Sequence, residues 1–158
     1  MLHSFAGYPG DGEYPLSGLV IDKKNNLYGT TEQGGAHGDG TVFKLTAAGT
    51  ETLLYSFGSH TGDGSNTYPY AGLVRDKKGN LYGTTIFGGA DNDGIVFEIS
   101  PHHGGSVWTE TILHTFTGEP GDGARPFGGL IIDMAGNLYG ATYYGGAYNG
   151  GTVFEIAP

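Results

Sequence analysis

The sequence contains no cysteine. Without thiols it has no disulfide framework, no thiolate metal site and no cysteine nucleophile. Basic side chains are also scarce, since 7 lysines and arginines stand against 16 acids and give a net charge of -9. A chain so acidic, with no lysine-rich run, is repelled by nucleic acid and by anionic membrane surfaces. We therefore predict no nucleic-acid partner.

Long apolar runs and a targeting peptide are missing too. The longest apolar stretches are as short as a strand, such as residues 18–21, whereas a membrane span needs about 20 residues. We predict no membrane insertion. Because repeat sequence begins at Leu2 and finishes at Ile156, we expect any signal or anchor of the parent protein to lie outside these residues.

Glycine is abundant, at 32 of 158 residues, and it recurs at fixed places in a threefold repeat. The anchor motif reads LYGTT, LYGTT and LYGAT, at residues 27–31, 81–85 and 138–142. A second motif reads GTVFKL, GIVFEI and GTVFEI, at residues 40–45, 94–99 and 151–156. We interpret the chain as a single domain of three repeats, each opening with its outer strand, at approximately 2–52, 53–111 and 112–158.

Each repeat contains four short runs rich in β-branched and aromatic residues, separated by Gly, Asp and Asn. In the first repeat they predict strands A to D at residues 18–22, 26–31, 41–45 and 53–57. The A-to-B connection predicts a tight turn, because Asp bonds the backbone two residues on and Asn or Gly tolerates positive φ. No apolar period of 3.6 residues is sustained, so helix should be nearly absent. Two recurring positions predict core residues: Phe43, Phe97 and Phe154, with Leu19, Leu73 and Leu130.

Four-stranded units of this length occur in β-propellers, although three of them in about 150 residues also fit a β-trefoil. The run P-x-x-GLVID-x-x-x-NLYGTT-x-x-GG-x-x-x-x-GTVFKL at residues 15–45 resembles the GloVer-type (Gloeobacter/Verrucomicrobium) tandem repeat of bacterial surface proteins. It is similar, more loosely, to the NHL-type propeller blade. The resemblance covers essentially the whole chain and implies an extracellular or cell-surface array with no established activity. We predict an all-β fold, a β-propeller with three four-stranded blades per chain, with a β-trefoil monomer as the alternative.

The order of the strands predicts a partner. The chain opens with an outer strand at residues 2–5 and closes with strand C at residues 152–156, so the last blade lacks its outer strand. Three blades are too few to close a ring, and an open end leaves an unpaired edge in water. We therefore predict a six-bladed homodimer closed by strand exchange.

The loops at one face of such a blade carry most of the acids. The D-to-A and B-to-C loops hold Asp11, Glu13, Glu32, Asp39, Asp63, Asp91, Asp93, Glu119 and Asp122, against Arg125 alone. A face so rich in acids attracts cations or neutral polyhydroxylated ligands. Asp11, Asp63 and Asp122, each in Gly-Asp-Gly, are candidate oxygen ligands for Ca²⁺. The alternative is that each Asp closes a turn beside a positive-φ glycine.

Aromatic side chains are frequent on the same predicted face, at positions that vary between repeats. The candidate ligand contacts are Tyr14, Tyr70, Phe87, Phe127, Tyr143 and Tyr144. A ring beside carboxylates suits a carbohydrate, whose C–H groups stack on the ring while its hydroxyls bond the charges. The alternative is that these rings pack loop against loop.

The histidines do not have the spacing of a transition-metal site. His3 and His114 share a repeat position with Tyr55, which predicts packing in strand D, and His37 and His60 are each single. No nucleophile elbow of the form G-x-S-x-G occurs.

These features favour a non-enzymatic extracellular module that is a scaffold or a glycan-binding surface, steadied by Ca²⁺. The alternative is a propeller enzyme, a polysaccharide lyase or metal-assisted hydrolase, with Asp11, Asp63 and Asp122 ringed around the axis. Near-identical repeats work against it, because catalysis needs an acid and a base made unlike by their surroundings. A third hypothesis is that the chain is a repeat fragment that assembles as part of a propeller and binds no ligand.

Overall fold

A computed structural model describes residues 1–60, 62–63, 71–118 and 120–158. The described residues form short strands and one 3-10 turn at His103–Gly105, so the predicted near-absence of helix is confirmed. None of their helices reaches the length and apolarity that a membrane span requires. The strands are β1 Gly12–Glu13, β2 Val20–Ile21, β3 Leu27–Thr31, β4 Gln33–Gly34, β5 Thr41–Leu45, β6 Glu51–Ser56, β7 Val74–Arg75, β8 Leu81–Thr85, β9 Ile95–His102, β10 Val107–Thr115, β11 Gly123–Ala124, β12 Ile131–Ile132, β13 Leu138–Ala141, β14 Tyr144–Gly145 and β15 Val153–Ile156.

The strands build three successive antiparallel sheets. Sheet I has the order β2-β3-β5-β6, sheet II the order β7-β8-β9-β10, and sheet III the order β12-β13-β15. Two short ribbons, β1-β4 and β11-β14, accompany sheets I and III. The predicted A-B-C-D order is confirmed, and the proposed repeat boundaries fall inside β6 and β10. A β-trefoil needs a closed barrel, and no sheet of the described residues is closed.

The glycine at the centre of the LYGTT motif is required by the side chains that pack over it. Gly29 of β3 pairs with Phe43 of β5, and a Cβ atom built on Gly29 would come within 2.8 Å of the Phe43 ring. The Leu19 side chain would be 2.6 Å away. A phenylalanine and a leucine thus cover this strand position, and only glycine leaves them room.

The core lies between successive sheets. Phe57, which directly follows β6, meets Phe97 of sheet II edge-on, with ring centroids 5.2 Å apart. Phe116 meets Phe154 of sheet III in the same way at 5.1 Å. Two apolar clusters therefore form, one between sheets I and II and the other between sheets II and III. Each sheet buries its apolar face only where it has a neighbour.

The prediction that Leu19 belongs to the core is wrong. Leu73 and Leu130 are buried, whereas Leu19 is 54% exposed. Leu19 lies on sheet I, which has no described sheet on its outer side. Leu19 is exposed because sheet I is the first sheet of the stack and no described sheet packs over that side.

Candidate functional site

An aromatic cluster lies where the loops of sheet III emerge. The rings of Phe127 and Tyr143 meet edge-on at 5.6 Å, and those of Tyr143 and Tyr144 at 4.6 Å. These three side chains are between 40% and 61% exposed. The contacts agree with loop packing, and the exposure leaves apolar ring surface in water. Exposed aromatic surface of this kind marks interaction sites.

The Arg125 side chain lies against one edge of this cluster. Its guanidinium carbon is 5.2 Å from the centre of the Phe87 ring and 5.7 Å from that of Tyr144. Both distances suit a cation–π interaction. The cluster therefore combines Phe87, near the end of sheet II, with the sheet III aromatics around one positive charge. The guanidinium N–H groups of Arg125 can donate hydrogen bonds to the hydroxyls of a ligand.

The backbone of Arg125 ties the loops together in an unusual conformation. Its φ is 54°, in the left-handed region that non-glycine residues rarely adopt. Its N–H donates to the carbonyl of Asp93 at 2.8 Å, and its carbonyl accepts from the N–H of Tyr143 at 3.1 Å. One residue thus joins the B-to-C loop of sheet II to that of sheet III.

Buried threonine hydroxyls hydrogen-bond to the backbone of the loops that carry the aromatic residues. The Thr142 hydroxyl donates to the carbonyl of Tyr144 at 2.8 Å and shares a hydrogen bond with Thr152 at the same distance. In sheet II the Thr85 hydroxyl donates to the carbonyl of Phe87 at 2.7 Å. Threonines that end strand B therefore fix the loop backbone on which the candidate aromatic residues lie.

The structure brings four of the six predicted aromatic residues together: Phe87, Phe127, Tyr143 and Tyr144. Tyr14 occupies the place in the first repeat that Arg125 occupies in the third, and its φ of 57° is also left-handed. The charge of neighbouring Glu13 raises the pKa of the Tyr14 phenol. Tyr70 lies outside the described residues.

The three Gly-Asp-Gly aspartates do not share one site. Asp11 accepts the backbone N–H groups of Ala6 and Gly12, and Asp122 accepts those of Thr117 and Gly123. Although burial opposes it, these hydrogen bonds lower the pKa of both carboxyls. Asp63 likewise accepts the N–H of Ser59. Each aspartate therefore hydrogen-bonds the backbone of its own turn, which is the alternative given in the sequence analysis. A cation bound at one of these aspartates would not contact the other two.

Histidine nitrogens lie beside these carboxylates. His3 Nε2 is 3.4 Å from Asp11 Oδ2, and His114 Nε2 is 3.2 Å from Asp122 Oδ1. The rings of His3 and His114 also pack edge-on against the phenylalanines two residues later, each at 4.7 Å. His114 lies in β10 as predicted, whereas His3 lies in no strand of the structure, and the facing carboxylates were missed.

Two glutamates lie beside histidines that are distant in sequence, His3 and His60. Glu51 Oε2 lies 3.7 Å from His3 Nε2, and Glu110 Oε2 lies 3.0 Å from His60 Nε2. Burial first, and then a neighbouring aspartate, raise the pKa of each glutamate to about 7. A signal was present in the sequence, because Glu opens both outer-strand runs, ETLLYSF and ETILHTF.

The opposite face carries a groove of about 900 Å³. It lies among the A-to-B turns of sheets II and III. Its charged lining is mixed, with Arg75, Lys77 and Lys78 beside Asp76 and Asp133. The turn aspartates therefore offset the positive charge of the arginine and the lysines on this face.

Comparison with known proteins identifies one family. The family model described as Gloeobacter/Verrucomicrobia repeat matches residues 1–158. No curated protein matches the chain.

Proposed function

The chain belongs to the Gloeobacter/Verrucomicrobia repeat family, and on that premise we propose a non-enzymatic β-propeller module that is displayed outside the cell and binds glycans on its loop face. Each sheet is one blade in this proposal, with strand A nearest the axis.

The propeller is supported by how the sheets approach one another. Gly18, Gly72 and Gly129 begin strand A of successive repeats. A Cβ atom on Gly72 would lie 3.4 Å from the Gly18 carbonyl oxygen, and one on Gly129 would lie 3.9 Å from that of Gly72. First strands that follow one another so closely suit blades converging on an axis. Three blades belong to each chain, and two chains complete six.

The exposed rings of Phe127, Tyr143 and Tyr144, with Arg125 against Tyr144, carry the glycan proposal. A sugar ring offers an apolar C–H face for such a ring and hydroxyls for a guanidinium or carboxylate. The rings are held by hydrogen-bonded loops, so little conformational entropy is lost on binding. Related but unequal loops in other repeats give such a module several subsites and favour multivalent binding.

A glycan array tests this proposal. We expect the labelled chain to bind a subset of glycans, and Tyr143→Ala to weaken that binding at least tenfold, because the central ring of the cluster is lost. Tyr148→Ala is the matched control, since Tyr148 is almost fully exposed on the same B-to-C loop. Its binding should be unchanged.

Two results would contradict the proposal. A wild-type chain that binds no glycan above background leaves a scaffold without a carbohydrate ligand. Equal losses in Tyr143→Ala and Tyr148→Ala would show that the cluster is not the site. Display outside the cell predicts that the parent protein is labelled by a membrane-impermeant reagent on intact cells.

A further inference from the structure

Four polar side chains converge between the outer strands of sheets I and II. The Tyr55 hydroxyl on β6 lies 3.0 Å from Asp63 Oδ2, 3.1 Å from His60 Nε2 and 3.2 Å from Glu110 Oε2 of β10. His60, Asp63 and Glu110 each offer one atom that can ligate a metal, and these atoms lie within 4.8 Å of one another. We call these three residues the β6–β10 cluster.

Both carboxylates of this cluster are removed from water. Asp63 is 0% exposed, and the Glu110 side chain is 1% exposed. In the described part of the chain, Asp63 Oδ1 and Glu110 Oε1 have no hydrogen-bond partner. The Tyr55 hydroxyl has one proton and cannot donate to both carboxylates. Buried carboxylate oxygens left in this way are costly unless a cation or proton compensates them.

From this geometry we propose that the β6–β10 cluster binds a divalent transition-metal ion of the zinc class. His60 Nε2, Asp63 and Glu110 are its protein ligands. Two carboxylates and one dication give a locally neutral site, which removes the repulsion between the buried acids. His60 is half-exposed and leaves a way in from solvent. Three protein ligands leave a position for water.

The imidazole nitrogen decides the class of metal. Calcium and magnesium take oxygen ligands, whereas imidazole suits zinc and its transition-metal neighbours. The sequence alone indicated Ca²⁺ at the aspartates, because the histidine and the glutamate are brought to Asp63 only by the fold. We therefore expect Zn²⁺ to bind the cluster more than tenfold more tightly than Ca²⁺.

The first repeat repeats the arrangement with a different histidine. His3, which aligns with Tyr55, joins Asp11 and Glu51, and their donor atoms also lie within 4.8 Å of one another. His3 Nε2 and Glu51 Oε1 have no hydrogen-bond partner among the described residues. A ring nitrogen thus reaches the Asp–Glu pair in both copies, from the segment before β1 in one and from the loop after β6 in the other. We assign the same metal class to this second cluster.

Calorimetric titration of the chelator-treated full chain with Zn²⁺ tests the assignment. The wild type should bind two equivalents. Glu110→Gln and Glu51→Gln, which keep the side-chain volume, should each lose one equivalent, and the double variant should lose both. Glu98→Gln is the matched control, because Glu98 is a partly buried strand glutamate outside both clusters. It should keep two equivalents.

Wild-type protein provides a second measurement if a variant fails to fold. With ¹⁵N-labelled histidine, Zn²⁺ should shift the ring-nitrogen signals of His60 and His3 and leave that of His37 unchanged. Absence of saturable binding at submillimolar Zn²⁺ would overturn the proposal. So would two equivalents retained in the double variant, or Ca²⁺ binding as tight as Zn²⁺.

Discussion

The carboxylate of Asp22 accepts hydrogen bonds from both the backbone N–H and the side-chain amide of Asn26, at 2.9 and 2.8 Å. The Lys24 N–H donates to it at 2.8 Å and the Tyr28 hydroxyl at 3.1 Å. The Asp–Asn pair recurs in the other two repeats, between Asp76 and Asn80 and between Asp133 and Asn137. This side-chain bridge fixes the turn between the first two strands of every sheet.

Loss of this bridge should destabilise the chain. We expect Asp22→Ala to lower the free energy of unfolding by about 1–2 kcal/mol, since several hydrogen bonds to a charged, partly exposed group are lost. Urea denaturation measures the change. Asp91→Ala replaces an exposed aspartate and should leave stability unchanged. Equal stability of Asp22→Ala and wild type would show that the turn holds without its carboxylate.

The same carboxylate gives stability a defined pH dependence. Burial opposes ionisation, but the hydrogen bonds from Asn26 and its neighbours lower the pKa of Asp22 to about 2. An unfolded aspartate has a pKa of about 3.9. The stabilisation is therefore complete above about pH 4 and is lost as the pH falls toward 2. The unfolding free energy of wild type should fall more steeply in this window than that of Asp22→Ala.

The glycine at the centre of strand B should not tolerate a methyl group. In Gly83→Ala the new Cβ would lie 2.6 Å from Phe97 and 3.0 Å from Leu73, and both side chains are buried. We expect a loss of about 1–3 kcal/mol, as in other overpacked cores. Gly150→Ala, with nothing within 4 Å of its Cβ, should be nearly neutral. Thermal melts that rank the two variants equally would refute this packing argument.

Short-range chemistry explains what the sequence predicts well. The four strands, their order and the A-to-B turn follow from motifs within about twenty residues, such as the Asp22–Asn26 pair. The aromatic residues were found because they interrupt the repeat. Asp11 and Asp63 were predicted as metal ligands, but the histidine and glutamate that lie beside each of them were not, and neither was the exposure of Leu19. Both depend on which sheet lies next to which, and no motif within one repeat records that.

Sheet III ends at β15, whereas sheets I and II continue into a fourth strand. Val153 of β15 is 85% exposed, while its counterparts Val42 and Val96 are fully buried. The third sheet therefore exposes an apolar surface, whereas the equivalent surface is buried in sheets I and II. An uncovered edge strand with an apolar face favours association.

The opposite end of the chain carries a matching segment. Phe5 packs edge-on against Phe43 at 5.0 Å, which repeats the contact of Phe57 with Phe97 between sheets I and II. Phe5 therefore occupies the place that the final phenylalanine of a preceding outer strand would take. Residues 2–5 form no strand pairing within the described chain, so their backbone is left to pair elsewhere.

We predict a homodimer in which residues 2–5 of one chain pair with residues 152–156 of the other, at both junctions, about a twofold along the ring axis. Burial of the Val153 surface contributes about 25 cal/mol per Å². Light scattering should give twice the 16.5 kDa of one chain. Val153→Glu should return a folded monomer, while Val107→Glu, on the exposed hairpin of sheet II, should remain dimeric. A wild-type mass near 16.5 kDa at high concentration would rule the exchanged dimer out.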